Sequence, residues 1–375
     1  MLTFTIRRLV VAVPTLLFIS LVIFMLLEFA PGDPMAQVPL TVPPEVKEKM
    51  RLALGLGDPA YIRFWKWIVQ FFWLEPQVLI DNILGTQLSW HWESIAKNAE
   101  GAYVLNDSAL AQLAADGRLR ETAAGLEMWT ERQRVISWQT RSPVMDIVVQ
   151  RLPQTLWVVG TAYVVAILIA IPIGIYSAYR QYSWFDQMGT FVSMVGFSVP
   201  PFFSGVLVIV IFSVGLGWFP SIYDTTLKVT NWESFVKQLQ QMVMPVMVLA
   251  LQITAQLSRF MRASMLDNLN QDYVRTARAK GLSEYTVVMV HVLRNSMIPV
   301  VTVIALGIPA IFGGAIITEQ VFKVNGIGQL LIGAIEANDL PMVQTLTFIF
   351  ALLIVMFNLI ADVLYGILDP RIRYD

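Results

Sequence analysis

Apolar residues in this chain come in long runs rather than in the amphipathic or alternating patterns of a soluble fold. Leu9 to Phe29, Thr155 to Ala178, Met188 to Trp218 and Met297 to Thr318 are mostly apolar throughout. Each reaches the roughly 20 residues that a helix needs to cross the hydrocarbon layer of a bilayer. A further run starts near Met242 and fades in the polar stretch Gln252 to Ser258, and a last one, Leu346 to Leu368, is interrupted by Asn358 and Asp362. None of them alternates with period two, as the strands of a lipid-facing barrel do. The pattern predicts an all-α integral membrane protein with six transmembrane helices.

Arg7 and Arg8 ahead of the first run would suit a secretory signal. The apolar run is too long for one, however, and it ends Glu28-Phe29-Ala30-Pro31-Gly32-Asp33-Pro34 with no small-x-small cleavage pattern. An uncleaved first span is therefore expected. Arg7 and Arg8, Arg180, the group Arg259, Arg262, Arg275, Arg278, Lys280 and Arg294, and Arg371 with Arg373 all fall on one side if six spans alternate. Short basic loops stay in the cytoplasm, which places both termini there. The division expected is 1–30 for the amino end and first span, 31–146 for an external segment, and 147–375 for a five-helix core with a cytoplasmic loop at about 262–297. Within the external segment, Pro43 to Leu56 reads as a short amphipathic helix and a Gly-rich turn. Ile62 to Leu74 is too short to span and is dense in Trp and Phe, so it is expected at the membrane interface or on the rim of the bundle. Asn98 to Gln139 is polar and rich in Ala, Glu and Arg, and reads as one or two small exposed helices.

Composition agrees with this pattern and narrows the chemistry. The 375 residues are 56% apolar and 14% charged, against about 45–50% and 25% in ordinary soluble domains. A net charge of −1 argues against general nucleic-acid binding. No Cys and only two His, His91 and His291, leave no thiolate chemistry and no multi-His metal site.

The loop ahead of the fifth run carries the most specific signal. Tyr273 to Lys280 holds good helix formers, Gly281 is a natural stop, and Ser283 is placed to cap a following helix. Val287, Val290 and Leu293 fall on a helical stripe in that second helix. The result is a short basic helical hairpin suited to docking, although an ordinary positive-inside loop has much the same composition.

Tyr273-Val-Arg-Thr-Ala-Arg-Ala-Lys-Gly281 resembles the "EAA loop" of bacterial ABC importer permeases, and more narrowly that of the dipeptide/oligopeptide permease family. Arg7-Arg-Leu with Ala30-Pro-Gly-Asp-Pro34, Gly55-Leu-Gly-Asp-Pro59, Arg151-Leu-Pro-Gln-Thr155 and Tyr365-Gly-Ile-Leu-Asp369-Pro-Arg-Ile-Arg373 resemble other segments of that family, in order along the chain. Two features depart from the general importer pattern. Arg275, Thr276 and Ala277 stand where it has Glu-Ala-Ala, and the stretch from about 91 to 141 is longer than expected and looks like an insertion.

The resemblance implies a type I importer-like bundle forming half of a translocation channel for peptides or similar small solutes. The implied partners are a second, homologous permease subunit, two cytoplasmic ABC ATPase subunits and an external substrate-binding protein, in a bacterial inner membrane whose lipid surrounds the bundle. The chain has no Gly-x4-Gly-Lys-Ser/Thr pattern. It is therefore expected not to be an enzyme and to bind no cofactor, with ATP and magnesium on the partner ATPases. Tyr273, Arg275, Thr276, Ala277, Arg278, Ala279, Lys280, Gly281, Leu282 and Glu284 are the expected coupling residues.

Polar groups inside lipid are costly and mark functional positions, so Gln252, Gln256, Ser258 and Asn358 are candidates for the translocation path. Asp362, close to the cytoplasmic end, reads as structural. Pro172, Pro200, Pro201, Pro245 and Pro309 lie within the runs and can kink them. An ATPase-independent secondary transporter or channel would instead favour charges at mid-span, and a membrane-embedded enzyme would need a nucleophile–base pair or metal ligands. The runs hold neither. Cargo other than peptide, such as a sugar or a nickel complex, stays open.

Overall fold

A computed structural model describes residues 2–29, 57–96, 103–122, 125–313 and 315–368. The chain forms two compact units, Met1–Pro31 with Ile147–Asp375, and Gly32–Asp146. Pro43 to Leu56, the whole Ala30 to Pro34 motif and the closing residues Asp369 to Arg373 lie outside the described residues.

In chain order the helices are α1 (Leu2–Glu28), α2 (Ala60–Val69), α3 (Glu75–Leu84), α4 (Asp107–Ala115), α5 (Val144–Tyr179), α6 (Trp184–Ser198), α7 (Pro201–Gly215), α8 (Trp232–Leu269), α9 (Asp272–Ala279), α10 (Glu284–Ile308, continuing to Gly313), α11 (Ile316–Phe322), α12 (Ile327–Glu336) and α13 (Leu340–Leu368). Among the described residues five helices, α1, α5, α8, α10 and α13, are long and apolar enough to cross a membrane. The third expected span is not a single rod. α6 and α7 together make up its length but meet at 104°. Pro200 and Pro201 supply no N–H to continue the ladder of α6, and Pro201 instead begins the next helix, where a missing N–H costs nothing. The apolar run has the length of a span only when α6 and α7 are taken together, and its break follows from the paired prolines.

The first unit is a helical bundle in which small residues line the seam between α5 and α8. Ala162, Ala166, Ala170, Gly174 and Ala178 recur every fourth residue along α5, and the alanines are buried. A Cβ at Gly174 would collide with the Met261 side chain and the Ser258 carbonyl of α8. This stripe lets the two backbones approach closely, the usual basis of helix association in lipid. The outward surface is the reverse. Val10, Phe18 and Leu26 of α1 are 64–68% exposed, which suits lipid rather than water. α1 is tied to α13 by Arg8 Nη1 to Asp362 Oδ2 at 3.1 Å, the structural role expected for Asp362.

In the second unit α2 passes through a π-helical turn, Gln70–Leu74, into α3, so Ile62 to Leu74 is part of a longer helical stretch that runs on to Leu84. Tyr61, Trp65, Val69 and Trp73 form an exposed apolar stripe along it, and Trp67, Ile68, Phe71 and Leu74 face inward. Among its described residues, the stretch expected to be one or two helices holds one helix, α4, capped by Asn106. It also supplies β2 (Leu119–Thr122) and β3 (Gly125–Glu131), which join the preceding β1 (Trp90–Ser94) in an antiparallel sheet of order β1-β3-β2. The all-helical expectation therefore holds for the bundle and fails here. Leu126, Met128 and Thr130 alternate with Glu127, Trp129 and Glu131, which is strand patterning, but the surrounding Ala, Glu and Arg favour a helix by composition. Trp92 pairs with Trp129 across the sheet, their rings 5.2 Å apart, and the Arg120 guanidinium lies 4.4 Å over Trp92. A staple closes the unit. Arg134, 9% exposed, places Nη2 2.7 Å from Glu75 Oε2 and 2.9 Å from Asp146 Oδ1. Burial alone would lower the Arg134 pKa, but the two carboxylates outweigh it and hold the guanidinium charged.

Candidate functional site

The helical hairpin predicted around Gly281 is present. α9 buries Val274 and Ala277 and leaves Tyr273, Arg275, Thr276, Arg278, Ala279 and Lys280 on its outer face. Gly281 ends it with φ +76°, the left-handed region that favours glycine. Its N–H reaches the Arg278 carbonyl at 2.9 Å, and the Leu282 N–H reaches the Ala277 carbonyl at 3.3 Å. Ser283 then caps the next helix, its Oγ accepting from the Thr286 N–H at 3.3 Å. Arg278 spans the turn with a bidentate pair to Glu284, Nη2–Oε1 2.7 Å and Nε–Oε2 3.1 Å. The hydrogen bond to Glu284 raises the Arg278 pKa against a smaller effect of burial.

One part of the reading needs correction. Val290 is 52% exposed, and the buried positions are Val287, Val288 and Val292. The start of α10 is a π-helical turn, Val287–Val292. Its wider pitch shifts the buried face away from the 287/290/293 stripe of an ideal α-helix.

The hairpin is continuous with the bundle core. Val274, Ala277, Val287 and Val292 pack in one cluster with Met261 and Met265 of α8. Nearby, Ser264 Oγ donates to the Ser296 carbonyl at 2.8 Å and Ser296 Oγ donates back to the Ser264 carbonyl at 3.2 Å, joining α8 to α10. Arg262, expected at the head of the loop, lies within α8. It grips Asp186 of α6 through Nε–Oδ1 2.6 Å and Nη2–Oδ2 2.7 Å. The hairpin, α8 and α10 thus share one core, and the Arg262–Asp186 pair joins α8 to α6.

The four polar candidates for a path separate into three places. Gln252 and Gln256 line a cavity of ≈ 220 Å³ with Val159, Tyr163, Ile304 and Gly307. Ser258 is buried on another face of α8, 3.4 Å from Ser193 Oγ of α6. Asn358 is exposed on α13, one turn from Asp362.

A further polar group was passed over because it sits one residue beyond the fifth apolar run. Glu319 is 1% exposed. Its Oε1 accepts from Thr155 Oγ1 at 2.9 Å and its Oε2 from the Gln329 N–H at 2.9 Å, while Thr155 Oγ1 accepts from the Ile327 N–H at 2.8 Å. Carboxylate and hydroxyl together satisfy the amino end of α12 and fasten it to α5. The signal in the sequence was a lone Glu followed by Gly326-Ile-Gly328, two glycines where a carboxylate needs room.

Comparison with known proteins agrees with this architecture. Residues 170–374 match the family described as binding-protein-dependent transport system inner membrane component, and residues 1–80 match the amino-terminal region of such membrane components. The chain is 34% identical to the oligopeptide transport system permease protein AppB of Bacillus subtilis (strain 168), over the whole of both chains. It is 33% identical to the glutathione transport system permease protein GsiC of Escherichia coli (strain K12), again over the whole of both. A putative peptide transport system permease protein of Brucella abortus (strain 2308) is 31% identical over 98% of each chain. The chain belongs to the family of inner membrane components of binding-protein-dependent transport systems, as a permease subunit of an ABC importer.

Proposed function

We propose that this permease forms half of a peptide-import channel, with both termini and the Gly281 hairpin in the cytoplasm and the Gly32–Asp146 unit outside. A second permease subunit completes the channel, two ATPase subunits sit beneath the hairpins, and an external binding protein delivers cargo. The relatives named for oligopeptide, peptide and glutathione transport support a peptide-like cargo. The observation that carries the mechanism is the hairpin itself. Its outer face offers Tyr273, Arg275, Thr276, Ala279, Lys280 and Leu282 to a partner, and its inner face shares a core with α8 and α10. ATP must bind the closed ATPase pair better than the open one for any motion to follow. That motion then reaches the spans through Val274, Ala277 and the Arg262–Asp186 pair. Gln252 and Gln256 face the path.

The test is reconstitution of the permease with its partner permease and ATPases in lipid vesicles. Peptide should accumulate only with ATP and the loaded binding protein; uptake that ignores ATP would sink the reading. Orientation is checked in this Cys-free chain by single cysteines. Asp116→Cys should react with an impermeant thiol reagent in intact cells, and Gln181→Cys, in the α5–α6 turn, should not. Arg278→Ala should change stimulated ATP hydrolysis only slightly, because an exposed ion pair is worth about 0–1 kcal/mol.

A further inference from the structure

Pro200 and Pro201 break the third span and bring no N–H of their own, so the carbonyls at the end of α6 lose helical donors. Val199 closes α6 in an extended conformation, φ −80° and ψ 124°. Its carbonyl accepts a hydrogen bond from Gln252 Nε2 at 3.3 Å. An unpaired carbonyl away from water is costly, so this bond matters to the geometry of the break. The donor comes from midway along α8, and the same side chain lines the ≈ 220 Å³ cavity between α5, α8 and α10. The wall of that cavity on α5 is also irregular, since Val159 lies in the π-helical turn Leu156–Gly160. Isolated π turns are frequent at functional positions. One side chain therefore both lines the cavity and holds the bend of the broken span.

We infer that Gln252 is a positioning residue that couples occupancy of this cavity to the angle of the broken span. In this arrangement its amide N–H holds the Val199 carbonyl and with it the Pro200 hinge. A cargo group that accepts a hydrogen bond, such as a peptide carbonyl or carboxylate, draws the amide into the cavity and releases the hinge. Cargo shifts the bend only to the extent that it binds the released arrangement better than the held one. Gln256 is the internal comparison. It lines the same cavity one turn further along α8, so it meets the same cargo from a different position on the wall. The inference rests on the importer reading and assigns a role within it.

The experiment uses the complete complex of both permeases, ATPases and binding protein in lipid vesicles, with tri-alanine as the probe. Gln252→Met keeps the length of the side chain and loses the N–H; Gln252→Glu is the second variant, and Gln256→Met the comparison at a lining residue away from the hinge. Gln252→Met should raise ATP hydrolysis in the absence of the binding protein by about threefold and lower maximal uptake by about tenfold, with KM for the loaded binding protein unchanged. Gln252→Glu should shift both in the same direction, whereas Gln256→Met, which removes a lining group that does not hold the Val199 carbonyl, should lower uptake but raise unstimulated hydrolysis clearly less than Gln252→Met does. Wild-type hydrolysis and uptake in Gln252→Met would overturn the inference. Equal shifts in Gln252→Met and Gln256→Met would also overturn it, making Gln252 a lining residue only. Failure of both Gln252 variants to assemble would overturn it as well, making the amide purely structural. An unmodified complex without ATP-dependent uptake would bring down the importer reading itself, a result distinct from all of these.

Discussion

Gly281→Val is expected to abolish import while leaving the membrane complex assembled. Gly281 sits at φ +76°, and the left-handed region costs an ordinary residue roughly 1–2 kcal/mol and a β-branched one more. Space is not the obstacle, since a Cβ built at Gly281 meets no atom within 4 Å. The penalty is in the backbone, and relief comes from unwinding the turn. That would break the Gly281 N–H to Arg278 and Leu282 N–H to Ala277 bonds and pull the Ser283 cap away from Thr286. The buried stem, Val274 and Ala277 against Val287 and Val292, would persist, so the subunit should still fold and assemble. Uptake should fall by at least about tenfold, and ATP hydrolysis should no longer respond to the loaded binding protein. Gly281→Asn separates backbone from side chain. Asn tolerates the left-handed conformation, so it should retain most activity, with Gly281→Ala between the two. The measurement is uptake and stimulated ATP hydrolysis across the three variants in vesicles. Normal values for Gly281→Val would show that the hairpin does not couple.

The hairpin around Gly281 is legible in the sequence because its signals are local. A run of helix formers, a Gly and a capping Ser specify helix, turn and helix by backbone chemistry alone. The spans were readable for a similar reason, since lipid demands length and apolarity and little else. What escaped depends on long-range pairing or on irregular helix pitch. The π turn at Val287–Val292 moved the buried face by a few positions, which no 3.6-residue pattern anticipates. The β-strands around Trp92 and Trp129 lie in a segment whose composition favours helix, and only their cross-strand pairing makes them a sheet. Among the polar path candidates, Gln252 and Gln256 share a face by their spacing of four, and the cavity contains both. Ser258 is two residues on and necessarily points elsewhere. Glu319 and Thr155 are 164 residues apart, and nothing local announces their meeting.

The meeting of Glu319 and Thr155 gives the second large effect, Gly326→Ala. Gly326 precedes α12 with φ −96°, a conformation open to any residue, so backbone strain plays no part. A Cβ there would fall on the Glu319 carboxylate and the Thr155 hydroxyl. Glu319 is 1% exposed and Thr155 is fully buried, so neither side chain has solvent to retreat into. Overpacking of this kind costs about 1–3 kcal/mol. Displacing the carboxylate would also orphan the part-buried Gln329 N–H, and displacing the hydroxyl the buried Ile327 N–H, at about 1–3 kcal/mol each. α12 would then lose its anchorage to α5. Glu319→Ala should approach the same loss from the other side, with a void in place of a clash. Glu319→Gln should be milder. Its oxygen can still accept from the Gln329 N–H, and its amide can donate to Thr155 once the hydroxyl turns. The expected order of thermal unfolding midpoints for the detergent-solubilised complex is wild type, Glu319→Gln, Glu319→Ala, Gly326→Ala, from highest to lowest. Uptake should fall in the same order. Wild-type midpoints for both alanine variants would show that this buried carboxylate does not hold α12 in place.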